Sequence, residues 1–352
     1  MTEALTNGAL SIGIIGAGRM GVTHHCIANT IPGARVIATA DPSALMNKML
    51  GKYAGVTPYK DYKALLKGEK LDAVLVCTPP AHNPEILKAV LDARLHAFVE
   101  KPFLLSAEHA AAFATRFAEA GLVNQVGYVN RFNDVFMRVR EMLGEELIGK
   151  VHRFRSEMFS STIVRPQTDE GWRASHASGG GAIYEMAAHA VDLVNFLFGA
   201  PDLVKGTALN RVYSTGVEDV VSSTFAYRAG VAGTLYVNWS DEAFRKPTNK
   251  LEVFGEEGKI LADQHGMKVF LKSASAAHGL RQGWNQLYIT DLFKNVPFYL
   301  RGNEFTAQLC DFVDCIRTGR AARCSFADGA ATLKVIEAMF DDWSATEREL
   351  AR

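Results

Sequence analysis

The chain has 352 residues, which at roughly 150 residues per domain implies two domains and a large core. Hydrophobic residues make up 48%, charged residues 22% and aromatic residues 10%, the balance of an ordinary soluble globular protein, so the disordered and collagen-like classes are excluded. The 38 basic residues equal the 38 acidic ones, which leaves no electrostatic drive toward a nucleic-acid backbone or an anionic membrane surface.

The first segment, MTEALTNGAL, carries Glu3 where a signal peptide needs bases, and its first base is Arg19, so secretion is not expected. From Leu10 to about Tyr128, short β-rich runs alternate with helical segments, the signature of βαβ units around a parallel sheet. The runs are LSIGII (10–15), ARVIATA (34–40), LDAVLVC (71–77), HAFVE (96–100) and LVNQVGY (122–128). Their continuous apolar character fits a sheet covered on both faces. Pro84–Asp92 and Ser106–Ala120 have helical spacing, with Ser106 as N-cap and Gly121 as C-terminal stop.

Strand 10–15 runs directly into Gly16-Ala17-Gly18-Arg19-Met20-Gly21, and a helical pattern follows. In that context Gly16 serves the tight turn, Gly18 lets the backbone approach a pyrophosphate, and Gly21 lets helix pack on strand. The helix N-terminus then offers free N–H donors to the anion. The plain alternative is a glycine-rich βα turn with no ligand. Arg19 either adds charge near the phosphates or is solvated. Asp41 lies 20 positions after Gly21, where a carboxylate accepts from the adenosine ribose hydroxyls. Its other reading is a cap through Asp41-Pro42-Ser43, with Pro42 at the first helical position. No arginine follows to receive a 2′-phosphate, so NAD is expected over NADP.

Doubly wound sheets bind ligands at the carboxyl ends of their strands. Cys77-Thr78-Pro79-Pro80, with His82 just beyond, and Glu100-Lys101-Pro102 fall there; the competing reading is turn chemistry. Lys101 is either a solvated surface charge or a group that holds a substrate hydroxyl and favours the developing alkoxide.

Beyond Gly149 the rhythm changes. A polar loop at about 160–181 leads through Gly179-Gly180-Gly181 into a helix at about 182–198 carrying Glu185, His189 and Asp192. At about 100° per residue these three share one face. They also break the richest apolar stretch, 183–198, so no membrane span is expected. Ionisable groups on an apolar helix are costly to bury without purpose, the alternative being a hydrogen-bonded structural network. A metal site is not expected: HExxH is absent, and Glu185 to Asp192 spans about 10 Å of helix axis. His24 and His25 point in two directions and are not read as a site.

Alternating runs LVKGTALNRVY, VVSSTFAYR, VAGTLYVNW, KLEVFG, GKILAD and MKVFL follow, with turns at 228–230 and 255–258. This predicts an α+β second domain with an open, mostly antiparallel sheet. The segment 272–302 reads as irregular: a lid, a substrate wall or a subunit contact. Helices near 303–318 and 328–348 end the chain. The boundary is expected once, between 130 and 131. Few helices follow to cover the sheet's outer face, so a homodimer or homotetramer is expected through it. The five cysteines (Cys26, Cys77, Cys310, Cys315, Cys324) lack CxxC spacing and fit a reducing cytoplasm.

GIIGAGRMG, CTPPAHN, VEKP, GYVNRF and WRASHASGGGAIYEMAAHAVDL, in this order, resemble the glucose-fructose oxidoreductase/inositol dehydrogenase/MocA (Gfo/Idh/MocA) family. The resemblance implies an N-terminal Rossmann domain, a C-terminal α/β domain whose open sheet often makes the oligomer interface, and oxidation of a sugar, cyclitol or nucleotide-sugar hydroxyl with a nicotinamide cofactor. It places the catalytic lysine on Lys101 and the catalytic histidine on His189, with Glu185 where an aspartate is usual. Cofactor contacts fall on Gly16, Gly18, Arg19, Met20, Gly21, Asp41, Thr78, Pro79, His82, Glu100 and Lys101. Substrate contacts fall on Lys101, Asn130, Arg131, Trp172, Arg173, Glu185 and His189. Two other readings fit the same fold: an NAD-recycling glycosidase or epimerase, and a non-catalytic dinucleotide sensor. Accumulation of NADH with turnover separates the first from a dehydrogenase. Retention of both Lys101 and His189 counts against the sensor.

Overall fold

In the computed structural model, which describes residues 8–166, 171–292, 294 and 296–351, the apolar runs of the first third form one parallel sheet. Residues 1–7, which include Glu3 of the first segment, and 167–170 of the expected polar loop lie outside the described residues. β1 (Leu10–Ile15), β2 (Ala34–Ala40), β3 (Thr57–Tyr59), β4 (Ala73–Val76), β5 (His96–Val99) and β6 (Asn124–Val126) take the order β3-β2-β1-β4-β5-β6. Helices α1 (Arg19–Ala28), α2 (Ala44–Tyr53), α3 (Tyr62–Gly68), α4 (Asn83–Asp92) and α5 (Ala107–Glu119) make the crossovers, and β4 is wholly buried, as a sheet flanked on both faces requires. Ser106 caps α5 by accepting from the His109 N–H at 3.3 Å, and Gly121 leaves the helix at φ 65°. The edge strand β3, Thr-Pro-Tyr, carries no strand signal in its sequence; its proline is tolerated only because an edge lacks a partner on one side.

The start of α2 corrects an expectation. Ser43 is the N-cap and accepts from the Met46 N–H, so the helix begins at Ala44 and Pro42 lies outside it.

The second sheet has eight strands. β7 (Val151–Phe159), β8 (Leu203–Asn210), β9 (Val220–Ala226), β10 (Ala232–Asn238), β11 (Thr248–Gly255), β12 (Gly258–Asp263), β13 (Gly266–Leu271) and β14 (Gly283–Tyr288) lie in the order β14-β13-β12-β11-β7-β10-β9-β8. Every pairing is antiparallel except β7 with β10. β7 sits inside the sheet, yet it is not among the expected strands, since Val-His-Arg-Phe-Arg-Ser-Glu-Met-Phe is polar or charged over most of its length. Only Phe154, Ser156 and Met158 point inward, toward the side carrying α6 (Asp134–Gly144) and α7 (Ala188–Phe198). The other face bears a ladder of Arg155, Glu157, Glu252 and Lys259 with contacts of 2.6–3.4 Å, flanked by exposed Phe254, Trp284 and Tyr288. The segment 272–302, expected to be irregular, contains β14 and the short α8 (Ile289–Leu292).

The chain divides into two compact units, Met1–Val129 with Asn295–Ala330, and Asn130–Lys294 with Ala331–Arg352. The single cut expected at 130 is therefore replaced by three crossings. The cause is hydrophobic: Leu309, Phe312 and Val313 of α9 (Asn303–Thr318) share a core with Ile12, Ile14, Val36, Leu75 and Phe98 of the parallel sheet. The Val126 N–H also donates to the Cys324 carbonyl at 2.8 Å, just before α10 (Phe326–Leu350).

Candidate active site

In the first unit, β1 is followed by Gly16, whose φ of 92° and whose approach to the Cys77 carbonyl leave no room for a side chain. A Cβ on Gly21 would stand 2.0 Å from the Gly16 carbonyl oxygen, which shows how closely α1 presses on the loop. Gly18 differs, because a Cβ there would meet nothing within 4 Å. It is the N-cap of α1, with no side-chain cap and no acid in the first turn. Among the described residues the start of α1 thus has no side-chain cap and no acid of its own, and the space beside Gly18 is open. That cradle fits a dinucleotide pyrophosphate.

Asp41 borders it. Its Oδ2 accepts from the Ala17 N–H at 2.7 Å and its Oδ1 from the Ser43 N–H at 2.8 Å, so the carboxylate tethers the loop while staying half-exposed. Arg19 is exposed and Met20 half-buried. After β4, Thr78 donates to Asn83 Oδ1 at 2.7 Å, and Asn83 in turn donates to the Phe103 carbonyl, which pins the Thr78-Pro79 turn; His82 is exposed.

Glu100 and half-buried Lys101 follow β5. Glu100 meets His24 of α1 at 2.6 Å, and its other oxygen accepts from the Lys101 backbone N–H at 3.3 Å. His24, not expected at a site, is thus drawn into this one. The available signal is spacing, since Gly21, His24 and Ala28 share the buried face of α1, which turns His24 inward and leaves His25 half-exposed.

In the second unit, Gly179-Gly180-Gly181 is demanded by close contacts. A Cβ on Gly180 would lie 2.2 Å from the Arg173 carbonyl, and one on Gly181, at φ 95°, would lie 2.5 Å from Glu218 Oε1. Glu218, 3% exposed, accepts from the Ile183 N–H at 2.7 Å and pairs with His176 at 2.5 Å. No local pattern in the sequence signals this carboxylate.

The expected single α-helix over 182–198 is instead a π-helical turn, Ile183–Ala187, followed by α7. π turns in helices are frequent at functional sites. Glu185 lies within the π turn, whereas His189 and Asp192 lie on α7, and Glu185 and Asp192 pair with different arginines. Asp192 is buried and held by Arg131 through contacts of 2.8 and 2.9 Å, with Thr332 at 3.3 Å. Glu185 meets Arg173 at 3.2 Å, and the Arg173 guanidinium stacks on Trp172 at 4.5 Å. His189 is half-buried on the first turn of α7.

Arg131, expected at the substrate, is 4% exposed and its guanidinium fork pairs with Asp192. Removing either partner of such a buried pair costs about 3–5 kcal/mol. Asn130 beside it is buried too, and its Nδ2 has no hydrogen-bond partner among the described residues.

Among the described residues no group of three or more His, Cys, Asp or Glu is placed to hold a metal ion, and no helix is long and apolar enough to cross a membrane.

Residues 10–128 match the oxidoreductase family with an NAD-binding Rossmann fold, and residues 136–261 match the GFO/IDH/MocA C-terminal domain. The chain belongs to the Gfo/Idh/MocA oxidoreductase family. As a Gfo/Idh/MocA protein it is 25% identical over 340 residues to the scyllo-inositol 2-dehydrogenase (NAD(+)) of Bacillus subtilis, covering 92% of this chain and 90% of that relative. It is 25% identical over 286 residues to the D-xylose 1-dehydrogenase (NADP(+)) 2 of Haloferax volcanii, covering 81% and 82%. A levoglucosan dehydrogenase solved with NADH and levoglucosan has the same fold, with a TM-score of 0.86, 20% identity and coverage of 96% and 98%. This Gfo/Idh/MocA chain is therefore an NAD-binding oxidoreductase related to inositol and sugar dehydrogenases.

Proposed function

We propose that the protein is a dehydrogenase that oxidises a secondary hydroxyl of a sugar, cyclitol or nucleotide sugar with NAD. The observation that carries this reading is the position of Lys101 after β5, on the same carboxyl edge of the parallel sheet as the uncapped start of α1, where doubly wound sheets bind ligands. Relatives named for oxidising inositol and xylose support the substrate class.

Gly16, Gly18, Gly21 and the first turn of α1 would hold the pyrophosphate, with Thr78, Pro79 and His82 lining the next strand end. Asp41 would take the adenosine ribose and repel a 2′-phosphate, so NAD is preferred to NADP. Bound NAD supplies the hydride acceptor. His189 takes the proton of the substrate hydroxyl as general base, a role suited to a neutral imidazole near pH 7. Lys101 is assigned the role of hydrogen-bond donor that offsets the negative charge developing on the substrate oxygen. Trp172 offers a flat ring face, and Arg173, oriented by Glu185, and Asn130 address neighbouring hydroxyls.

The test is an NAD-reduction screen over sugars, cyclitols, sugar acids and nucleotide sugars, with Lys101→Ala as the blank. NADH accumulates with turnover on one of these classes. On that substrate His189→Ala lowers kcat by about 10²- to 10⁴-fold while NADH binding stays near wild type. Near-full turnover in His189→Ala refutes the assignment of the base, and a kcat/KM higher with NADP refutes the cofactor preference.

We further propose that the exposed face of the eight-stranded sheet joins copies of the chain into a homodimer or homotetramer. Light scattering at micromolar concentration reads two or four chain masses; a single-chain mass overturns it.

A further inference from the structure

His24 and Glu100 make a buried pair that the proposed reaction leaves unused. The ring of His24 is 0% exposed, lies edge-on to Phe98 at 5.1 Å, and places Nε2 at 2.6 Å from Glu100 Oε1. An ionised carboxylate only accepts, so Nε2 carries the proton and donates. Nδ1 has no hydrogen-bond partner among the described residues. Among those residues the imidazole therefore has one polar engagement, and it is Glu100.

On its other side Glu100 is 14% exposed, and Oε2 accepts from the Lys101 N–H. Gly127 comes so close that a Cβ there would lie 3.2 Å from the carboxylate. The carboxylate at the end of β5 is thus held by His24 and the Lys101 backbone N–H and closely approached by Gly127, with the Arg301 guanidinium near enough to interact with it electrostatically.

The strand order says which end of a dinucleotide meets that charge. The glycine loop follows β1 and Asp41 follows β2, so the adenosine half lies toward β2 and the nicotinamide half toward β4 and β5. The nicotinamide ring is cationic when oxidised and neutral when reduced. A fixed carboxylate at the end of β5 favours the cationic form.

We propose that His24 is a positioning residue: by holding Glu100 it fixes a negative charge that biases the enzyme toward NAD⁺ over NADH and anchors the backbone of Lys101. The proposal rests on the NAD-binding reading of this unit.

The test compares His24→Leu, which removes the donor, with His24→Gln, whose amide Nε2 restores it, and with Glu100→Gln, which keeps an acceptor and removes the charge. Dissociation constants for NAD⁺ and for NADH are measured on the full chain without substrate, and kcat on the substrate from the screen. His24→Leu and Glu100→Gln each weaken NAD⁺ about tenfold relative to NADH, and His24→Leu lowers kcat about tenfold. His24→Gln returns both to within about threefold of wild type. An unchanged NAD⁺/NADH ratio in Glu100→Gln, or equal damage in the Gln and Leu variants at position 24, overturns the proposal. Full turnover in Lys101→Ala overturns the dehydrogenase mechanism instead and leaves the affinity ratio to judge His24 by itself.

Discussion

Both units use glycines to turn the chain into a helix, Gly16 and Gly18 before α1 and Gly179 to Gly181 before the π turn, and the two helix starts treat negative charge in opposite ways. At α1 the N-cap is Gly18, no carboxylate occupies the first turn, and the space beside Gly18 is empty. At the π turn the Glu218 carboxylate is built in, buried, and bonded to the Ile183 N–H. An identical electrostatic need, an anion at a helix start, is left for a ligand in one unit and met by the chain in the other. A glycine run before a helix therefore signals close backbone approach, and the identity of the anion has to come from three dimensions.

Converting the open helix start into the closed kind has the largest expected effect. Gly18 has extended backbone, φ −69° and ψ −169°, which aspartate adopts without strain and where it is a favoured N-cap. Gly18→Asp lowers NADH affinity by about 100-fold or more, from repulsion of the diphosphate, while the melting temperature holds or rises. An NADH dissociation constant within about threefold of wild type would show that the start of α1 is not the anion site.

The reverse change comes next. Glu218→Ala leaves the Ile183 N–H buried without its acceptor and frees His176, at a cost of about 1–3 kcal/mol in urea unfolding, with NADH affinity unchanged. Wild-type stability would break the contrast, since the π turn would then need no anion of its own.

The smallest effect sharpens the picture at α1. Asp41 borders the open loop, bound to the Ala17 N–H, and Asp41→Ala narrows the kcat/KM preference for NAD over NADP about tenfold. An unchanged ratio would place discrimination elsewhere.

The sequence by itself determined what is written within a dozen or so residues. Strand, glycine loop and helix from Leu10 to Ala28 follow from apolar runs and from glycines that only tight turns require. Asp41 follows from spacing, the Ser106 cap from helix-end chemistry, and the alternating strands of the second sheet from period two. Lys101 is readable as a candidate because it follows a strand at the carboxyl edge of the parallel sheet, and His189 because an ionisable residue on an apolar helix is conspicuous. Tertiary structure alone decided the partners. Arg131 is 61 positions from Asp192, His24 is 76 from Glu100, and Ile183 is 35 from Glu218, and no local pattern names such a pair. It also decided that β7 lies between β10 and β11, that α9 returns to the parallel sheet, and that a π turn precedes α7 where one regular helix was expected. The physical reason is range. Hydrophobic periodicity and turn preference are short-range properties of the chain, whereas a buried polar group takes whichever partner the packed core brings within about 3 Å.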